Sequence, residues 1–508
     1  MDKKMQKKLR AAGVILLCGN LLLFLTIWLV EKYDHVYLEQ VLFQMKTSSE
    51  GVYSSLASSA IVRVVLFGVV LTAAEVLLYW LLSGRCSNVF RNDRRYLSYR
   101  STKVCRFFTY HALLLALAVL VFAVTLFTTR LDVFAYVDTA STESDFIEEH
   151  YVDPLTVRLR FPEEKRNLIY IFLESMENTF ADTAAGEPIT DDYIPQLRLL
   201  AEENVNFSNT AGLGGALSFS GTTWTAAAMA AQTSGVPVKV TVTADEDAYG
   251  AGEDFLPGII SLGEIFEKQG YHQTLLLGSD AEFHGREPYF IRHGDYEIVD
   301  IDSLKAEGRL PEDYQVWWGF EDQKLFAYAK EELMRLAKEE EPFNFTMLTV
   351  DTHFPDGYEC ALCGDTYENQ YANVLACSAE QVYDFVTWIK KQPFYENTTI
   401  IISGDHLTMD AAFLDDIDEN YVRTVYNCII NAPVTPVQEK NRKFATFDMF
   451  PTTLAALGVE IEGDRLGLGT NLFSEKETLT EQYGFEKLDE ELQKKSEFYN
   501  TRFLEMTE

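Results

Sequence analysis

Three apolar stretches in the first quarter of the chain, at about 12–30, 61–82 and 107–128, constrain its folding more than any other feature. Each is close to the roughly 20 residues a helix needs to cross a bilayer, and inside lipid a helix satisfies its own backbone hydrogen bonds. No small-residue cleavage site follows the first stretch, so it reads as an anchor and not as a removed leader. Lys3, Lys4, Lys7, Lys8 and Arg10 precede it. Arg85, Arg91, Arg94, Arg95, Arg100, Lys103 and Arg106 lie between the second and third stretches. The loop between the first two carries Glu31, Asp34, Glu39 and Glu50 against Lys32 and Lys46. The excess of Lys and Arg places the N-terminus and the second loop in the cytoplasm. Three crossings then leave everything after Thr129 outside the cell membrane. Arg63 and Glu75, inside the second span, read as inter-span or snorkelling contacts, because three spans with two scattered charges make a poor ion pathway.

Charge changes sign at the same boundary. Residues 1–130 hold 16 Lys and Arg against 7 Asp and Glu, and the remainder holds 27 against 70, for a net −34 overall. So acidic a body excludes a nucleic-acid partner, whose recognition rests on basic patches. It fits a soluble domain facing a cation-rich envelope, with most of the charges serving solubility. Of the seven cysteines, Cys360, Cys363, Cys377 and Cys428 fall in this outer part. The first three are spaced to hold a loop closed. Spacing does not set their connectivity, no fourth local zinc ligand accompanies them, and free thiols remain an alternative.

Residues 131–165 are irregular and acidic, broken by Pro154 and Pro162, and read as a juxtamembrane linker. From 166 to about 474, strand and helix patterns alternate. Apolar strands are predicted over Asn167–Leu173, His272–Leu277, 343–350, 398–402 and 427–431. Helices are predicted over 222–232, 262–269, 323–339, 371–391 and from near Asp448. This alternation argues for an α/β domain with a mostly parallel central sheet covered on both faces. The segment 475–508 is charged and helical, and reads as a surface tail.

Three predicted strands stop at potential ligands: Glu174, His353, and Asp405 with His406. Open α/β sheets bind their ligands at the carboxyl ends of the strands, so these distant positions are expected to converge. Carboxylates beside an imidazole suit Mn²⁺ or Zn²⁺ more than Ca²⁺. Between the strands lies Gly221-Thr222-Thr223-Trp224-Thr225, followed by Ala226-Ala-Ala-Met-Ala-Ala-Gln232. With a helix beginning after Gly221, Thr222 sits at a helix N-terminus, where free N–H groups favour an anion. A metal beside it activates the hydroxyl as a nucleophile. A plain N-cap is the other reading of Thr222.

In order along the chain, the segments Asn167-Leu-Ile-Tyr-Ile-Phe-Leu-Glu174-Ser175, Gly221-Thr222, His353-Phe354-Pro355, Ser403-Gly404-Asp405-His406 and Phe447-Asp448-Met449-Phe450-Pro451-Thr452-Thr453 resemble the lipoteichoic acid synthase-like phosphoglycerol transferases of the sulfatase/alkaline-phosphatase-like superfamily. The resemblance covers nearly the whole chain. It implies a metal, usually Mn²⁺ with Mg²⁺ and Zn²⁺ as alternatives, held by Glu174, Thr222, Asp405 and His406. It also implies a nucleophilic Thr222, fifteen residues before Pro237, a phosphate-facing His353, and Arg286 gripping the glycerophosphate with His284 where the family has an aromatic residue.

The implied reaction moves glycerol phosphate from phosphatidylglycerol, through a threonine-bound intermediate, to an envelope glycan or teichoic acid chain. The family's polymerases have five spans and a different stretch after the nucleophile, whereas this stretch looks more like the branch that decorates glucans or wall polysaccharides. A phosphoethanolamine transferase is the nearest rival. A sulfatase would need Cys or Ser in a C/S-x-P-x-R context, and none stands at Thr222. A non-catalytic sensor with this fold would be expected to lose at least one member of the Glu/Thr/Asp/His set.

Overall fold

In the computed structural model, which describes residues 3–33, 38–47, 58–78, 99–182, 189–241, 246–252, 254–414, 417–418 and 420–505, four helices open the chain. They are α1 (Lys3–Lys32), α2 (Leu38–Lys46), α3 (Ser58–Leu78) and α4 (Tyr99–Arg130). Within these, Arg10–Lys32, Ser58–Leu78 and His111–Arg130 are long and apolar enough to cross a membrane. The end of the second predicted span, Asp34, Glu50, Cys86 and Arg85 to Arg95 of the basic loop lie outside the described residues. The chain divides into two compact units, 1–38 with 53–137, and 39–52 with 138–508.

In the first unit α1 runs against α4, and glycines allow the close approach. A Cβ on Gly19 would stand 3.1 Å from the backbone of Leu120. The two charges of the second span are both engaged, as the sequence predicts. Glu75 Oε2 accepts from Asn20 Nδ2 at 2.8 Å, and Arg63 pairs with Glu31.

The second unit is built on a six-stranded sheet: β1 (Asn167–Leu173), β2 (His272–Leu277), β3 (Glu297–Val299), β4 (Phe343–Leu348), β5 (Thr398–Gly404) and β6 (Asn427–Ile430). Their spatial order is β3-β2-β4-β1-β5-β6, and every pairing is parallel except β5 with β6. The predicted mostly parallel sheet is therefore present. The near-continuous apolar run of β1 and the Ile400-Ile401-Ile402 centre of β5 have the composition of strands buried on both faces, and every residue of β5 is buried. Helices α5 (Thr225–Ser234), α6 (Asp322–Leu336) and α7 (Gln370–Ile389) follow. The 475–508 segment, read as a surface tail, contributes to the core: Leu488, Leu492, Tyr499 and Phe503 are buried, and Tyr499 Oη donates to the Pro237 carbonyl at 3.0 Å.

One boundary departs from expectation with a consequence for the site. Helix α5 starts at Thr225, three residues later than the sequence suggests. Gly221 takes a positive φ of 77° and a Cβ there would lie 2.6 Å from the Val238 carbonyl oxygen, so the glycine makes a turn. Thr222 closes that turn with its own side chain.

Candidate active site

Strand ends β1 and β5 are adjacent and in register, Leu173 opposite Gly404, so Glu174 and Asp405 emerge side by side. Gly404 has to be glycine, because a Cβ would come 2.0 Å from the Met176 carbonyl oxygen. Asp405 Oδ1 is fixed by the backbone N–H groups of Ser175 and His406, both at 2.7 Å. Its Oδ2 is fully buried with no hydrogen-bond partner among the described residues. His406 Nε2 lies 3.4 Å from that oxygen and 3.7 Å from Glu174 Oε1. His406 Nδ1 contacts the Leu407 carbonyl at 2.8 Å. A carbonyl only accepts, so Nδ1 carries the proton and Nε2 presents its lone pair inward. One ligand atom each from Glu174, Asp405 and His406 lies within 4.8 Å of the others.

The electrostatics of this trio call for a cation. Burial, then the Glu174 charge, pushes Asp405 up to about 7. Burial also acts upward on Glu174, but His353 and His406 outweigh it and leave that carboxyl below its ordinary range. His406 is held above its ordinary value because Asp405 and Glu174 outweigh its burial. Two carboxyl groups this close do not both ionise without a compensating charge. An orphaned buried oxygen, a second carboxylate and an inward imidazole lone pair fit a divalent metal of the Mn²⁺ or Zn²⁺ type.

A pH dependence results. Without metal, the raised pKa of Asp405 contributes stability that is full below the ordinary carboxyl range and is lost as pH rises through about 7. A bound cation requires ionised Asp405 and a deprotonated His406 Nε2, so the binding constant for Mn²⁺ should fall by at least about tenfold per pH unit below that value. Isothermal titration across pH 5.5 to 8.5 would read it, and a flat profile would show that Asp405 does not release a proton to the metal.

The structure brings together Glu174, Asp405, His406, His353, Arg286 and His284, and leaves Thr222 out. Thr222 Oγ1 donates to the Phe219 carbonyl at 2.8 Å, accepts from Phe219 N at 3.0 Å, and contacts Ser218 Oγ at 3.3 Å. Its hydroxyl is spent on the turn. Thr225 stands at the trio instead: its Oγ1 is 3.3 Å from Glu174 Oε2 and 3.4 Å from His406 Nε2. It opens the ten-residue helix α5, whose first N–H groups have no side-chain cap. Gln232 ties this helix to the strand ends, donating to the carbonyls of Gly404 at 2.9 Å and Asp405 at 3.2 Å while accepting from Tyr170 Oη at 2.9 Å. The clue available in sequence was Trp224-Thr225 standing immediately before the alanine run.

Glu174, Thr225, Ala226, His284, Arg286, Trp318 and His353 line one cavity. Arg286 is buried and oriented by donating to the carbonyls of Phe283 at 3.0 Å and Asp280 at 2.6 Å. Burial lowers it to about 10, which leaves it charged at neutral pH. His284, at a φ of 58°, stacks on Phe283 at 3.8 Å between centroids. Burial, then Arg286, lowers it to about 3, so it lines the cavity as a neutral ring. His353 packs against Trp318 and gives Nδ1–H to the Phe354 carbonyl at 2.7 Å. A neutral ring then has only an acceptor, Nε2, to offer.

No element is predicted between the first two spans, yet α2 packs in the second unit. Phe43 is fully buried against Trp224, Tyr249, Phe255 and His284, with centroids 5.1, 6.2, 6.1 and 5.6 Å away. Glu39 is buried too, near Lys239. The spacing of Leu38, Val41, Leu42 and Met45 marks a helix, but the face that is buried carries Glu39, Gln40 and Phe43. Removing a buried phenylalanine costs about 3–5 kcal/mol, so Phe43→Ala should loosen Trp224 and His284. Turnover should fall while metal content stays at the wild-type level. Equal activity in this variant would show that α2 does not support the site.

A family model described as sulfatase matches residues 166–459. Phosphoglycerol transferase I of Escherichia fergusonii is 31% identical over 323 residues, which are 62% of this chain and 40% of that protein. The chain thus spans about two fifths of the length of the curated relatives it matches. Among solved structures, the integral membrane protein lipooligosaccharide phosphoethanolamine transferase A (EptA) of Neisseria meningitidis superposes with a TM-score of 0.50 at 14% identity, covering 88% of this chain and 83% of that one. The lipoteichoic acid synthase LtaP of Listeria monocytogenes gives 0.47 at 18% identity, covering 65% and 80%. The EptA likeness is one of fold.

Proposed function

The chain belongs to the sulfatase family, and on that premise we propose that it is a membrane-anchored, metal-dependent phosphoglycerol transferase with Thr225 as its nucleophile. The observation that carries this reading is the hydroxyl of Thr225 between Glu174 and His406 at an uncapped helix N-terminus, with Arg286 lining the same cavity. The relatives named phosphoglycerol transferase I supply the reaction class. The position holds Trp224-Thr225-Ala226-Ala227-Ala228 and no Cys or Ser in a C/S-x-P-x-R context, which argues against sulfate-ester hydrolysis.

Glu174, Asp405, His406 and Thr225 would hold the metal, with Mn²⁺ the first choice. When bound it would lower the pKa of the threonine hydroxyl and offset phosphoryl charge. In the first step Thr225 Oγ, its proton already given up to solvent, bonds to the phosphorus of phosphatidylglycerol and the bond to the diacylglycerol oxygen breaks; Oγ leaves in the second step in the same deprotonated form. Arg286 and the first N–H groups of α5 hold the phosphoryl oxygens. His353 faces the phosphate in the same cavity: donation from Nε2 needs the protonated ring, which an anionic phosphodiester beside it favours. It gives that proton to the departing diacylglycerol oxygen and regains one from the acceptor hydroxyl. In the second step that hydroxyl, on an envelope glycan or teichoic acid chain, bonds to phosphorus and Thr225 Oγ leaves. Incubation with fluorescent phosphatidylglycerol and Mn²⁺ should release labelled diacylglycerol. Release from phosphatidylethanolamine instead would make the chain a phosphoethanolamine transferase.

The catalytic domain is assigned to the outer face of the membrane. Positive charge before the first span supports it, and residues 39–52, which precede the second span, belong to the catalytic unit. A cysteine introduced at Glu475 should be labelled by an impermeant maleimide in intact cells, and one at Asn92 should be protected. The opposite pattern would invert the topology.

A further inference from the structure

Away from the catalytic trio, three cysteines meet. Cys360 and Cys363 lie on the loop that follows His353-Phe354, and Cys377 lies on α7. Cys360 Sγ is 3.8 Å from Cys377 Sγ and 3.7 Å from Cys363 Sγ, and all three sulfurs lie within 4.8 Å of one another. A disulfide needs its sulfurs at about 2.0 Å. Thiolates sharing one tetrahedral zinc at about 2.3 Å stand about 3.8 Å apart along the tetrahedron's edge. Both separations from Cys360 Sγ are those of a shared ion.

The backbone gives a second, independent indication. Cys360-Ala361-Leu362-Cys363 has the two-residue spacing common among structural zinc ligands. It turns back on itself, with Cys363 N–H donating to the Cys360 carbonyl at 3.1 Å and Leu362 N–H donating to Cys360 Sγ at 3.5 Å. Gln381, one helical turn after Cys377, donates Nε2–H to Cys377 Sγ at 3.5 Å and to Cys360 Sγ at 3.8 Å. N–H groups aimed at sulfur stabilise thiolates and orient metal ligands. Cys360 and Cys377 are buried, and Cys363 is partly exposed.

We propose that Cys360, Cys363 and Cys377 form a mononuclear thiolate site for a zinc-class divalent cation, separate from the catalytic metal. Three thiolates supply three ligands, and the fourth falls to solvent on the side of Cys363. The site staples the loop after His353 to α7. That loop is also held by Tyr358 N–H donating to the Asp351 carbonyl at 2.7 Å and by Gln370 of α7 donating to the Gly357 carbonyl at 3.2 Å, so the metal would add to the ties on the segment that carries His353. The site is independent of the transferase reading, since it concerns sulfur ligation and not turnover.

The test uses the full chain in detergent, freed of metal under anaerobic conditions and titrated with Co²⁺. One equivalent should produce the near-ultraviolet thiolate-to-cobalt charge-transfer absorption, and Zn²⁺ should abolish it by displacement. The absorption should persist in Asp405→Ala, which lacks a catalytic metal ligand, and vanish in Cys363→Ser and Cys377→Ser. Alkylation of the denatured wild-type chain in chelator should modify all seven cysteines. An alkylation count two short would identify a disulfide and overturn the proposal. So would the absence of the charge-transfer band in the wild-type protein, or its survival in both serine variants. The wild-type readings decide the matter even where a variant fails to fold.

Discussion

Replacing Thr225 with alanine should abolish diacylglycerol release, with turnover reduced by a factor on the order of 10³ or more, as removal of a covalent nucleophile does. The variant should fold, because among the described residues the polar contacts of Thr225 Oγ1 are the two of 3.3 and 3.4 Å, both at the site itself. Thr222→Ala provides the contrast. It removes the hydroxyl that closes the turn around Gly221, which costs about 1–2 kcal/mol of stability, and should leave the chemistry largely in place. Thr223 shares the peptide but its Oγ1 is buried without a hydrogen-bond partner among the described residues, so Thr223→Ala is expected to be tolerated. Full activity in Thr225→Ala would remove the nucleophile assignment, and with it the two-step mechanism.

Asp405→Ala should be as severe by a different route. Asp405 supplies the orphaned buried oxygen of the trio and also holds the Ser175 and His406 backbones at 2.7 Å. Its loss removes a metal ligand and frees the peptide that carries another, so bound Mn²⁺ and turnover should both disappear, while an ion at the separate cysteine cluster would stay. Metal content by plasma mass spectrometry separates this outcome from that of Thr225→Ala, which should retain substantial metal through Glu174, Asp405 and His406. Wild-type metal stoichiometry in Asp405→Ala would mean that the ion is held elsewhere.

Much of the fold and site was legible along the chain because the site is hung on strand ends. The β-branched and aromatic runs of β1 and β5 declare themselves as strands, and the residues just past a buried parallel strand fall at the ligand-binding edge. Glu174, Asp405, His406 and His353 were therefore found from local pattern. Thr225 was not, because two rules competed. Glycine followed by threonine reads as a helix N-terminus, but Gly221 here makes a positive-φ turn and Thr222 spends its hydroxyl on Phe219. Only the alanine run marks where α5 begins. The role of α2 was hidden for another reason: Phe43 lies far from Trp224 in sequence, and no local pattern announces that a loop between two spans will pack against the catalytic helix. The cysteine cluster shows the same limit, since Gln381 and Cys377 become partners of Cys360 only once α7 is in place.

The most direct test of the nucleophile and its metal is to trap the enzyme with phosphatidylglycerol in the absence of acceptor and map the covalent adduct by tandem mass spectrometry. The expected result is one glycerophosphoryl group per chain, on Thr225, formed only when divalent metal is present and absent from Thr225→Ala. A glycerophosphoryl group on Thr222 or Thr223, or diacylglycerol release with no adduct on any threonine of this segment, would contradict it.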